Sequence, residues 1–279
     1  MKVNFFTGAT GRHKIFAYPY IASALTSTED SFVELLVDDL TFFNPTDMEE
    51  LKRIFGDRFL IREPRSDMKD WHLNTRHPLQ ANTVRFLERP NVMADYTYIG
   101  DVDIILLDNN IVADHIIHSE ILNLPYSNVK RHGIENLTGL HFVETQTYYE
   151  TVTEEWQSEI ISRLNAGSLN IFDENLLYHM MVEAFGVPEI EADPDTCRPD
   201  AEPGPEGPWL HKYRPQHGFH LSLNRPQPTH PQHGWGITEK RIEKYKVMDT
   251  HEQWLASKET FHSDYNELLS LLEKEVYDV

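Results

Sequence analysis

The 279-residue chain has a single cysteine, Cys197. No intrachain disulfide can form, which fits a reducing, cytoplasmic compartment. Basic residues are also scarce: 25 Lys and Arg stand against 45 Asp and Glu, for a formal net charge of −20. A groove for nucleic acid needs clustered Lys and Arg, so nucleic acid is not an expected partner. An anionic membrane surface repels such a chain on average. No apolar run reaches the roughly 18 residues of a membrane-spanning helix, and the apolar part of Met1 to Phe6 is too short for a secretory signal core. The phosphate-loop patterns G-x-G-x-x-G and G-K-[ST] do not occur. What the sequence does have is 40% hydrophobic and 11% aromatic residues, enough for a packed core and too many for a disordered chain. An anionic small molecule could bind such an acidic protein only where positive charge is supplied locally.

Strand and helix signals alternate over the first 165 residues. Short β-like runs lie at Val3–Phe6, Phe32–Val37, Arg58–Ile61, Tyr96–Ile99, Ile104–Leu107 and Leu140–Val143. The run Phe32–Val37 is broken only by Glu34. Helical spacing covers Tyr18–Leu25, a segment opened by Asn44-Pro45-Thr46-Asp47 and running to about Phe55, Pro78–Leu87, Ile111–Leu122, Tyr148–Leu164 and Asp173–Phe185. This order predicts an α/β fold with a mixed, mainly parallel sheet flanked by helices.

Composition then shifts. Ten of the 16 prolines fall between Pro188 and Pro231, and histidines 211, 217, 220, 230 and 233 fall within or just after that stretch. Three regions follow: a core over 1–186, a Pro/His-rich loop or lid over 187–238, and a C-terminal helical segment over 239–279. In the last, Tyr265, Leu268, Leu269 and Leu272 make a stripe expected to pack against the body, with a partner helix or peripheral membrane contact as the alternative.

The chemistry centres on Gly100-Asp101-Val102-Asp103. Two carboxylates interrupt a run that otherwise reads as a buried strand, and unpaired charges do not sit in a core. They must emerge at a strand end, where α/β sheets place their ligands. Two such carboxylates can share a hard cation, Mn²⁺ or Mg²⁺. The competing reading is a polar turn between two strands.

From here the sequence resembles a family. Arg85-Phe86-Leu87-Glu88-Arg89-Pro90 followed by Ala94-Asp95-Tyr96-Thr97-Tyr98-Ile99-Gly100-Asp101-Val102-Asp103 resembles the Arg, Pro, apolar strand and Asp-x-Asp succession of GT-A-fold glycosyltransferases. The retaining glycogenin-like and lipopolysaccharide galactosyltransferase group is the most similar. Thr138-Gly139-Leu140-His141-Phe142-Val143 is similar to that group's acceptor strand, and Asp173-Glu174-Asn175-Leu176-Leu177 to its helix start facing the sugar. His220-Leu221-Ser222-Leu223-Asn224-Arg225-Pro226 resembles the C-terminal His-x-x-Gly-x-x-Lys-Pro segment, one residue short and with Leu223 in place of Gly. Phe5-Phe6-Thr7-Gly8 is similar to the first strand end, which cradles the nucleotide.

The resemblance implies a Rossmann-like GT-A core and transfer of a sugar from a nucleotide-diphosphate donor to a glycan or glycolipid hydroxyl, with retention. Asp103 binds the metal; Asp101 binds the metal or the donor's ribose or sugar. A third ligand comes from His220 or His217. Thr7, Gly8, Arg12, Asp38, Asn82 and Arg85 are expected around the donor, with Asp38 alternatively bracing the loop. Glu174 and Asp173 are the catalytic candidates, against the plainer roles of serving the helix dipole and capping it. His141 is expected to hold an acceptor hydroxyl. The alternatives are a nucleotidyltransferase acting on sugar phosphates and a non-catalytic glycan- or metal-binding module.

Overall fold

A computed structural model describes residues 1–65, 81–169, 171, 173–189, 218–221 and 235–277. Its centre is a six-stranded sheet. The strands are β1 (Val3–Ala9), β2 (Ser31–Val37), β3 (Phe59–Arg62), β4 (Tyr96–Ile99), β6 (Tyr126–Ser127) and β7 (His141–Glu144), in the spatial order β3-β2-β1-β4-β7-β6. β5 (Ile104–Leu106) lies outside it. The first four strands of that order run parallel, while β7 pairs antiparallel with β4, and β6 antiparallel with β7. Strands buried on both faces read as continuous apolar runs, as β1 and β2 do.

Side chains alternate across the sheet and feed two cores. Val3, Phe5 and Ala9 of β1 and Val33, Leu35 and Val37 of β2 enter one, with α1 (Ala17–Ser27). Phe6 and Leu36 enter the other, with α3 (Ala81–Leu87). Two further elements flank the sheet, α2 (Pro45–Phe55) and α4 (Ile111–Leu122).

Glu34 sits on the same face as Leu36 and has no exposed surface. Its carboxylate is fully partnered. Arg62 Nε donates at 2.7 Å, and the backbone N–H groups of Asn91 and Val92 donate at 2.9 and 3.0 Å. Arg62 also donates to Glu88 at 2.8 Å. A buried charge survives only when paired and hydrogen-bonded in this way.

The helix expected over Tyr148–Leu164 is two: α5 (Thr145–Thr151) and α6 (Glu154–Asn165). Thr153 separates them because its hydroxyl accepts the N–H of Trp156 at 3.2 Å, an N-cap reinforced by Glu154 and Glu155 in the first turn. The segment expected helical from Pro78 is described from Ala81 onward. α7 (Asp173–Ala184) follows. The chain closes with α8 (Glu239–Met248), α9 (Glu252–Ser257) and α10 (Ser263–Tyr277). The stripe Tyr265, Leu268, Leu269 and Leu272 is buried in the first core with Trp254, so it packs against the body. Most of the Pro/His-rich segment, with His211, His217, His230 and His233, lies outside the described residues. Among the described residues no helix is long and apolar enough to cross a membrane.

β5 forms an antiparallel ribbon with β8 (Gly218–His220), pairing Ile104 with His220, Ile105 with Phe219 and Leu106 with Gly218. The backbones meet so closely at Gly218 that a Cβ there would overlap the Ile105 carbonyl. Gly218→Ala is therefore expected to push β8 off β5 and destabilise the protein by about 1–3 kcal/mol, read as a lower melting temperature. An unchanged melting temperature would show that the ribbon tolerates the methyl group.

Candidate functional site

β4 ends at Ile99, and Gly100-Asp101-Val102-Asp103 carries the chain from the sheet into the ribbon. The C-terminal ends of the parallel strands converge here, and β4 changes partner sense between β1 and β7. In open α/β sheets such a place forms the ligand crevice. Thr7 fixes the junction from below, its hydroxyl donating to the Gly100 carbonyl at 2.7 Å, and the Gly100 N–H donates to Phe6 O at 3.2 Å.

The ribbon supplies a residue from the far end of the chain. Because His220 pairs with Ile104, its ring comes beside Asp103, with Nε2 3.1 Å from Asp103 Oδ1. The backbone holds this alignment: Leu221 N–H donates to Asp103 O at 2.7 Å, and His220 N–H to Trp235 O at 3.1 Å. One ligand atom each from Asp101, Asp103 and His220 lie within 4.8 Å of one another. Two carboxylate oxygens and an imidazole nitrogen form a donor set able to hold a divalent cation.

These residues open onto a cleft of about 380 Å³. Asn82 and Arg85 reach it from α3, Asp173 and Glu174 from the start of α7, and Gly8, Thr10 and His13 from the end of β1 and the turn after it. Arg85 is buried, with its guanidinium 4.8 Å from the Phe86 ring centroid. Nη1 donates to Asp101 Oδ1 at 2.5 Å, and Nη2 stands 3.6 Å from Asp173 Oδ1. Burial works against the Arg85 charge, but the facing carboxylates of Asp101 and Asp173 outweigh it and raise its pKa. For Asp173 burial dominates and raises the pKa, with Arg85 opposing. Its backbone is left-handed, φ 55°, which is unusual for a residue with a side chain.

Glu174 points at Arg131, whose Nε and Nη2 donate to its two oxygens at 2.7 and 2.6 Å. The Gly139 N–H also donates to Glu174 Oε1, at 2.9 Å. Gly139 leaves room for the cluster, because a Cβ there would lie 2.9 Å from Arg85 Nη2 and 3.4 Å from Asp101 Oδ2. Asn128 fixes the strand that carries it, accepting from the N–H and hydroxyl of Thr138 at 3.0 and 2.6 Å.

The structure thus brings together Gly8, Asn82, Arg85, Asp101, Asp103, Asp173, Glu174 and His220 of the residues singled out from sequence. Others lie elsewhere. Thr7 is buried beneath the cleft, and Arg12 is exposed and outside its lining. Asp38 braces the turn that follows β1: Lys14 Nζ is 2.8 Å from Oδ1, and the Gly11 N–H donates to Oδ2 at 3.2 Å. His217 lies outside the described residues. His141 is fully buried in the interior rather than lining the cleft, so it offers no surface to an acceptor; its ring packs against Tyr126 and Tyr148, with centroids at 4.7 and 5.5 Å. Sequence reasoning missed Arg131, Thr10 and His13, and placed Gly139 only within the acceptor-strand motif. The basic run Lys130-Arg131-His132, one of two such triplets with Arg12-His13-Lys14, was a usable signal for the first.

Burial holds His141 neutral by lowering its pKa from 6.5 to about 3. Between those values the unfolded chain binds a proton that the folded one refuses, so stability falls as the pH drops from about 6.5 toward 3. This residue contributes a slope on the order of 1.4 kcal/mol per pH unit. In His141→Phe, urea unfolding at pH 7 and pH 4 is expected to show a correspondingly smaller acid loss; an unchanged slope would assign the acid sensitivity to other groups.

No protein-family profile and no curated protein sequence matches the chain. Its backbone does match solved structures. The galactosyltransferase LgtC, solved in complex with donor and acceptor sugar analogues, aligns over 92% of this chain and 100% of LgtC, with a TM-score of 0.51 and 14% identity. The apo glycosyltransferase GlyE of Streptococcus pneumoniae TIGR4 aligns over 93% of this chain, with a TM-score of 0.50 and 11% identity. The chain spans 63% of the length of GlyE. The fold is that of the GT-A-type glycosyltransferases, as the sequence resemblance implies.

Proposed function

We propose that the chain is a metal-dependent glycosyltransferase that moves a sugar from a nucleotide-diphosphate donor to a hydroxyl of a glycan or glycolipid, with retention of configuration. The observation that carries this reading is the meeting of Asp101, Asp103 and His220 at the strand ends of a GT-A fold, beside a cleft of about 380 Å³. Those three residues would hold the cation. A divalent cation supplies positive charge to the departing diphosphate, which a cleft lined by four carboxylates otherwise repels.

The chain's own residues do the rest. Arg85, fixed by Asp101 and Asp173, lines the cleft in which the donor would lie. Asn82 lies on the same helix face three residues earlier. The C1–O bond to the diphosphate breaks and its electron pair leaves with the phosphate oxygen. The acceptor oxygen bonds C1 and gives its proton to that departing oxygen. Carboxylates at the start of α7 stabilise the positive charge that develops on the sugar ring.

Thermal-shift screening of UDP-, GDP-, CMP- and dTDP-sugars, each with and without Mn²⁺, tests the reading. At least one nucleotide-diphosphate sugar is expected to raise the melting temperature by roughly 2–8 °C when present near 100 times its Kd, and only with the metal. Asp103→Ala and His220→Ala are each expected to abolish that shift and to weaken Mn²⁺ binding at least tenfold by calorimetry. If no nucleotide sugar gives a metal-dependent shift, the proposal fails. Release of pyrophosphate would favour the nucleotidyltransferase, and binding without turnover the non-catalytic module.

A further inference from the structure

The strand that carries His220 is held on both edges. One edge is the ribbon, where the Leu221 N–H donates to Asp103 O at 2.7 Å. The other edge is Trp235, whose carbonyl accepts the His220 N–H at 3.1 Å. β8 spans only three residues, Gly218–His220, the short end of the range for strands. What fixes Trp235 therefore bears directly on where the imidazole stands.

Two things fix it. The Trp235 side chain is wholly buried in the first core. The chain then turns at Gly236, φ 71°, a left-handed conformation that glycine adopts readily, and enters α8 through the cap Thr238. Arg241 closes that turn. Its N–H donates to Thr238 Oγ1 at 3.4 Å, and its Nη1 reaches back to donate to Gly236 O at 2.8 Å. Arg241 is only 3% exposed and stands in the first turn of α8. Both circumstances work against its charge, because burial removes water and the start of a helix carries positive partial charge. A planar guanidinium nonetheless suits the place, since it offers five donors in a fixed fork. Arg241 lies outside the lining of the cleft, so it influences a ligand there only through the backbone.

We infer that Arg241 is a positioning residue for His220: it clamps Gly236, Gly236 fixes the Trp235 carbonyl, and that carbonyl sets the outer edge of β8. The consequence for a cation rests on the metal reading of Asp101, Asp103 and His220, while the clamp itself is measurable without metal. The parent, Arg241→Met, Arg241→Lys and Val276→Ala are compared. Val276 is buried in α10, outside the cleft lining, and controls for lost stability. Arg241→Met is expected to weaken Mn²⁺ binding by roughly 10–100-fold in calorimetry. Arg241→Lys keeps the charge and a donor for Gly236 and is expected to lose less. Val276→Ala is expected to lower the melting temperature while leaving Mn²⁺ affinity within about twofold of the parent.

Amide hydrogen exchange reads the clamp directly. The reference is Val33, whose N–H donates to Arg58 O in the central sheet. In Arg241→Met the His220 N–H is expected to speed up about tenfold more than the Val33 N–H. In Val276→Ala the two amides are expected to change together. His220 exchange that rises no more than Val33 exchange overturns the positioning role and leaves Arg241 a stabilising residue only. Faster His220 exchange with unchanged Mn²⁺ affinity overturns the link to the cation. If Arg241→Met does not fold, Arg241→Lys and Arg241→Gln are read by the same two measurements and judged in the same way. If the parent protein binds no Mn²⁺, the metal reading fails by itself, and His220 exchange alone decides whether the clamp exists.

Discussion

The site depends on one pairing, the antiparallel contact between Ile104–Leu106 and Gly218–His220. Asp101 and Asp103 are fixed by their place at the end of β4, but carboxylates alone make only a polar corner. The ribbon converts that corner into a three-residue cluster by bringing an imidazole across 117 residues of sequence separation. Backbone hydrogen bonds on both sides of His220 hold the alignment, so the position of the ring depends on the sheet rather than on its own rotamer freedom.

Around that pairing the protein solves a charge problem. Acidic groups crowd the cleft, and among the described residues two arginines near it are committed to carboxylates: Arg85 to Asp101 and Asp173, Arg131 to Glu174. On the far side of the same core, Glu34 and Glu88 are matched by Arg62. Removing either partner of such a buried pair leaves an uncompensated charge, which is more damaging than loss of the pair as a whole. The scarcity of basic residues therefore coexists with arginines set deep in the structure where they fix geometry.

Much of the architecture was legible in the sequence because both periodicities are local. β1, β2, β4 and the helix over Ile111–Leu122 follow directly from apolar runs and helical spacing, with ends shifted by a few residues at most. The split at Val152–Thr153 was less visible, since a capping threonine competes with an amphipathic stripe that continues across it. Within the site, Asp101 and Asp103 were readable from patterns of burial and charge at a strand end, whereas Asp173 was singled out by the family resemblance, its local pattern alone reading as a helix cap. The partners set by tertiary packing were not readable: Arg131 reaches Glu174 across 43 residues, and nothing in its local sequence specifies that distance. His141 was misplaced for a related reason. An imidazole in an apolar strand gives the same sequence signal whether its ring meets a ligand or, as here, two tyrosines in the core.

Phe219 gives the ribbon a proofreading function. It is wholly buried, while His220 next to it remains partly open to the cleft. Successive strand residues face opposite ways, so a slip of one residue between β8 and β5 would set the phenyl ring beside Asp103 and drive the imidazole into the interior. The slipped register would forfeit the burial of one large aromatic, roughly 1.5–3 kcal/mol, and would bury a polar ring in its place. An apolar side chain with no part in the chemistry thus selects, at the moment the two strands meet, the register in which the imidazole and not the phenyl ring stands beside the carboxylates.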